Sequence, residues 1–249
     1  MRNVLTIAQR ELTSLFTQPI AYIVAFVLVG LSGLIFIQGV TGYIELSQLG
    51  QPVSPPTVAG VLGFFTFAAL FVAPALTMRT LAEERRSGTL ELLMTLPVRD
   101  EEVVLGKFVG LWLYFALILA FTLVYPLVLL RFGNPDIGPM LTIYAGVLLG
   151  VGAMLAIGIF TSALTSNQLV AYILGFGLIF LSYLVALLNQ ALVTDEGVAE
   201  ALRQLSFPDH LVPFAQGVLQ VTDVVYFVGL TAVFLFAAVR VLESQRWKG

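Results

Sequence analysis

Six long apolar runs dominate the chain and leave few architectures open to it. A helix that crosses ~30 Å of hydrocarbon needs about 20 apolar residues. Residues 20–39, 58–78, 104–130, 140–164 and 169–188 meet or approach that length, and a sixth run covers 224–239. The sixth is short, but it spans if Arg240 extends its charge to the interface. Of 249 residues, 59% are hydrophobic and 11% charged, where soluble domains carry about a quarter charged residues. A small globular domain cannot bury so much apolar surface, so the expectation is an all-α integral membrane protein. One domain over 1–249 with six transmembrane helices accounts for the whole pattern. A net charge of −3 leaves no nucleic-acid footprint, and without cysteine there are no disulfides or thiolate metal sites.

Basic residues orient the spans. With both termini cytoplasmic, that side holds Arg2, Arg10, Arg79, Arg85, Arg86, Arg99, Lys107, Arg240, Arg246 and Lys248, and the outer side holds only Arg131 and Arg203. The outer loops collect acids instead: Glu45, Asp136, Asp195, Glu196, Glu200, Asp209 and Asp223. The stretch before the first span is too long for a cleavable signal peptide. Its apolar residues Val4, Ile7, Ala8, Leu12, Leu15 and Phe16 recur at helical spacing, so 1–18 reads as an amphipathic helix on the cytoplasmic interface. Residues 38–57, with Pro52, Pro55 and Pro56, read as an irregular outer connection. The outer loop 189–222 includes an apolar stretch of about eleven residues, too short to span and therefore read as partly inserted.

The cytoplasmic connection 79–102 carries the densest chemistry. The second span is expected to continue as a charged helix through Glu83, Glu84, Arg85 and Arg86 until Gly88 ends it. Thr89 can then cap a short helix with Glu91 in its first turn, Leu92, Leu93 and Leu96 on one face, and Pro97 as the stop. Asp100 can cap the third span, followed by Glu101 and Glu102. A loop that is merely solvated has no use for Leu92, Leu93, Met94 and Leu96. Apolar residues beside dense charge suit a docking surface for a protein partner.

The string from Glu83 to Pro97, followed by Gly106-Lys107, resembles the coupling-helix signature of ABC (ATP-binding cassette) type-2 permeases. Towards the C-terminus, Ser206, His210, Pro213-Phe214, Gly217, Asp223 and Tyr226-Phe227 resemble the gliding-motility permease subgroup, and so does the ending Leu242-Glu243-Ser-Gln-Arg246-Trp247. The permease of nitrous-oxide-reductase maturation is a related cousin. The resemblance implies a cell-membrane complex of two permease chains, identical or not, above two copies of a cytosolic ABC ATPase, with an extracytoplasmic accessory protein as a further partner. ATP and Mg would bind the ATPase, with no cofactor or metal in this chain. The coupling residues would be Glu83, Glu84, Arg85, Gly88, Thr89, Glu91, Leu92, Leu93, Leu96 and Pro97, the charged ones forming ion pairs and the leucines the apolar contact.

Other features carry less. Gly146 and Gly150 suit close helix packing, Pro74 and Pro126 should kink the second and third spans, and the lone His210, near Asp209, suits a structural hydrogen bond. No phosphate-cradling Gly-x-x-x-x-Gly-Lys-Ser/Thr run occurs, so any ATPase is a separate chain. A membrane enzyme lacks a candidate site. A stand-alone ion-coupled carrier lacks ionisable groups at the span centres, where each costs about 3 kcal/mol and is kept for function. A membrane scaffold that transports nothing would share the docking loop.

Overall fold

In a computed structural model of the chain, which describes residues 2–52, 55–89, 99–133, 135–192 and 195–246, every regular element is a helix. Helix α1 covers Arg2–Phe16, α2 Pro19–Gln48, α3 Ala59–Thr77 and α4 Ala82–Arg86. Then come α5 (Asp100–Phe121), α6 (Val124–Phe132), α7 (Ile137–Leu164), α8 (Gln168–Leu192), α9 (Glu196–Arg203), α10 (Val212–Ala215) and α11 (Val221–Arg246). Six helical stretches are long and apolar enough to cross a membrane: those of α2, α3–α4, α5–α6, α7, α8 and α11. With an even number of crossings both chain ends lie on one side, called here the terminal face.

The fourth span, α7, forms the core. Its most apolar window is 72% buried, against 17% for the first span and 22% for the fifth and sixth. Small residues explain this position: Gly146, Gly150, Gly152, Ala153, Ala156 and Gly158 let neighbours approach closely. The outer spans turn large side chains such as Phe26, Phe121 and Phe236 away from the protein, as lipid-facing helices do.

Two elements depart from the sequence expectation, and at Pro126 the expected kink is a break in the helix. Residues 38–48 continue α2 as helix, which ends on Gly50 at φ +70°, so the outer connection is shorter than the prolines suggested. The third span breaks between Phe121 and Val124, just before Pro126. Proline has no N–H to give the Thr122 carbonyl four residues back. That carbonyl instead accepts from the Tyr125 amide at 3.0 Å and the Tyr144 hydroxyl at 2.9 Å. The second span does not run unbroken into the charged stretch: α3 stops at Thr77, three residues after Pro74, and α4 starts only at Ala82.

The outer segment between the fifth and sixth spans folds back into the bundle. Phe207 and Phe214 are completely buried, Phe214 against Gly146 and Phe207 against Gly150. The Thr142 hydroxyl donates to the Phe214 carbonyl at 2.6 Å. Gly146 and Gly150 therefore receive an aromatic plug, while Gly152 and Gly158 further along the span pack against Trp112 and Thr77 of neighbouring spans. His210 pairs through Nδ1 with Asp223 at 2.7 Å and stacks on Tyr226, so its acidic partner is not its neighbour Asp209.

Candidate docking elbow

The connection on the terminal face is built from four directions. Its first support is Ser162 of α7. The Ser162 hydroxyl accepts from the amides of Leu81 and Ala82 at 3.1 and 3.0 Å and lies 3.2 Å from the Met78 carbonyl, to which it donates. A helix start leaves amide hydrogens without partners. A side chain from a different span satisfies them here, which is why the chain can turn between α3 and α4. Thr80 adds a 2.7 Å bond from its hydroxyl to the Thr77 carbonyl.

The second support is Lys107. It lies two turns inside α5, only 3% exposed, and its ammonium sits 2.7 Å from Glu84 Oε1 and 3.6 Å from Glu11 Oε2. Burying a cation is costly without an anion beside it, and this one has a carboxylate on either side. Glu84 belongs to the elbow and Glu11 to α1, so one cation joins three elements.

The third support is α1 itself, and glycine is the reason it fits. A Cβ on Gly106 would stand 2.6 Å from the Ile7 side chain, and one on Gly110 would stand 2.9 Å from the Ala8 carbonyl. Those two positions, one turn apart on α5, form a notch that admits the backbone of α1. Ala8 and Leu15 are buried there, so the apolar face of this helix is largely spent on α5. At its start, the Asn3 amide donates to Glu102 at 3.0 and 3.2 Å. Glu102 also accepts from the Arg99 amide at 3.2 Å, which makes Arg99 rather than Asp100 the residue before the helix; Asp100 is its first residue and is buried.

Gly88 is the fourth. It adopts φ +72°, the left-handed conformation that ends α4 at little cost to glycine. Ser87 and Thr89 hydroxyls lie 2.9 Å apart over this turn, and Thr89 donates to the Glu84 carbonyl at 3.3 Å.

Of the expected coupling residues, Glu83, Arg85, Gly88 and Thr89 lie on the accessible side of this elbow, while Glu84 faces inward to Lys107. Glu91, Leu92, Leu93, Leu96 and Pro97 lie outside the described residues. Among the described residues Arg85 and Arg86 form no ion pair. A cleft of about 680 Å³ opens between α1 and the elbow, lined by Arg10, Glu11, Gln18, Arg79, Glu83 and Lys107. No group of three or more metal-ligating side chains occurs among the described residues. Sequence reasoning missed the inward roles of Glu11, Lys107 and Ser162. The one available signal was a lysine inside an apolar run, since such a charge requires a partner.

Six spanning helices around a small-residue core, with a charged elbow after the second span, define a multi-pass membrane protein. The family described as ABC-2 family transporter protein matches residues 44–237, well over half the chain, and this protein belongs to that family. It is also similar to the "Probable ABC transporter permease protein NosY" of Stutzerimonas stutzeri, 32% identical over 121 residues. That match covers 47% of this chain and 41% of the relative's length.

Proposed function

We propose that this chain is the membrane-embedded half of an ABC transporter, and that its elbow at 79–102 receives a separate ATPase subunit on the cytoplasmic side. The observation that carries the reading is the elbow's construction. Ser162 and Lys107 hold α4 from within, while Glu83, Arg85 and Arg86 carry charge on its accessible side, and the apolar Leu92, Leu93 and Leu96 follow in the sequence. A supported backbone that presents charge, followed by apolar residues, suits a partner surface. The terminal face is cytoplasmic in this reading, because ten of twelve basic residues lie there, in the cell membrane.

Two permease chains and two ATPases make the working complex. ATP hydrolysis belongs to the ATPase, and no catalytic residue, cofactor or metal is assigned here. Closure of the ATPases moves the elbows as rigid bodies and changes access across the membrane.

Reversing Glu83 and Arg85 together tests the docking surface, since neither charge has an ion-pair partner among the described residues. Co-expressed with its ABC ATPase, the wild-type chain should co-purify with it. The double variant should keep its melting temperature and lose most of the bound ATPase. Full retention with unchanged ATP hydrolysis would show that the elbow is not the docking site. A complex that binds ATPase but moves no solute would favour the scaffold reading instead.

A further inference from the structure

We propose that Lys107 is the positioning residue that ties the elbow to α1, so that the two move as one body with the start of the third span. The docking reading supplies the force on that body; the tie itself stands on geometry alone. Lys107 is the meeting point of three helices distant in sequence, with Glu11 on α1, Glu84 on α4 and its own place on α5. Its two contacts are unequal. The ammonium is 2.7 Å from Glu84 and 3.6 Å from Glu11, so the shorter bond holds the elbow and the longer one reaches α1.

The surrounding packing makes α1 a firm body for the elbow to be tied to. Asn3 to Glu102, Ile7 in the Gly106 notch and the Ala8 carbonyl at Gly110 fix α1 along two turns of α5. At the far end of α1, Phe16 packs edge-on against Tyr114, whose hydroxyl donates to the Ala21 carbonyl of α2 at 2.6 Å. The elbow has less to hold it. Apart from Lys107, the polar bonds that fix α4 to other helices among the described residues are those of Ser162. Without the cation, Glu11 and Glu84 would repel across the gap, and Glu84, whose Oε2 is buried with no hydrogen-bond partner among the described residues, would lose the partner of Oε1 as well.

The absence of cysteine permits a direct measurement. Spin labels on cysteines replacing Gln9 and Arg86, both exposed, report the α1-to-elbow distance in the full chain in lipid nanodiscs. The native background should give one narrow distance distribution. Lys107→Met should broaden it, and Lys107→Arg, which keeps the charge, should restore it. Should the methionine variant fail to fold, Glu84→Gln reads the same tie with the Lys107–Glu11 contact left in place, and should also broaden the distribution. A folded Lys107→Met or Glu84→Gln protein with the native distribution overturns the proposal. Failure of the native chain to capture an ABC ATPase, with the label result as expected, sinks the docking reading and leaves the tie standing.

Discussion

Phe207 and Phe214 enter the bundle where the fourth span carries Gly150 and Gly146, and a larger residue at either place meets an aromatic ring. The two positions are not equivalent. An added Cβ at Gly146 would stand 2.7 Å from Phe214 Cγ and 2.9 Å from its Cβ, the inflexible root of that side chain. At Gly150 it would stand 3.0 Å from Phe207 Cζ, the far edge of the ring, which can tilt away. Overpacking a filled core costs about 1–3 kcal/mol. Gly146→Ala should therefore lower the thermal midpoint in detergent clearly, and Gly150→Ala should lower it less. Equal effects would contradict this packing. The glycine spacing was visible in the sequence and pointed to close packing. What it packs against was not visible, because the two phenylalanines come from an outer segment some sixty residues later and carry no periodic signal of their own.

At the scale of elements, the elbow is the part that hydropathy describes least well. A charged stretch after an apolar run reads naturally as a helix continuing into water. The structure instead stops α3 at Thr77 and restarts at Ala82, using a hydroxyl from the fourth span to satisfy the new amides. No local rule could supply Ser162, since capping is normally sought within a few residues of the helix start. Gly88 was legible for the opposite reason: it ends its helix through its own backbone, at φ +72°. The bonds to Ser162 give a test. Each net hydrogen bond is worth about 1 kcal/mol, so Ser162→Ala should destabilise the elbow locally by about 1–2 kcal/mol. Amide exchange at Leu81 and Ala82 should then speed up roughly five- to thirtyfold, while exchange in the middle of α7 stays as it was. Unchanged rates at Leu81 and Ala82 would show that the elbow is held by something else.

For the whole molecule, the number of spans follows from the bilayer's thickness and from twenty-residue apolar runs, and that much was readable from composition and length. The tertiary arrangement depends on pairs distant in sequence: Glu11 with Lys107, Tyr114 with Ala21, Thr142 with Phe214. These contacts give the molecule two differently built ends. At one, an aromatic plug closes on the fourth span. At the other, α1, the elbow and the start of the third span share a single buried lysine, and Arg85 and Arg86 have no ion-pair partner among the described residues. The central claim is that this second end receives an ATPase. A photo-cross-linking side chain in place of Arg86, which is exposed and unpaired among the described residues, tests it in living cells. Irradiation should join the chain to its ABC ATPase, and the same cross-linker in place of the exposed Leu219 at the opposite end should not. Cross-linking to the ATPase from Leu219 and none from Arg86 would contradict the account.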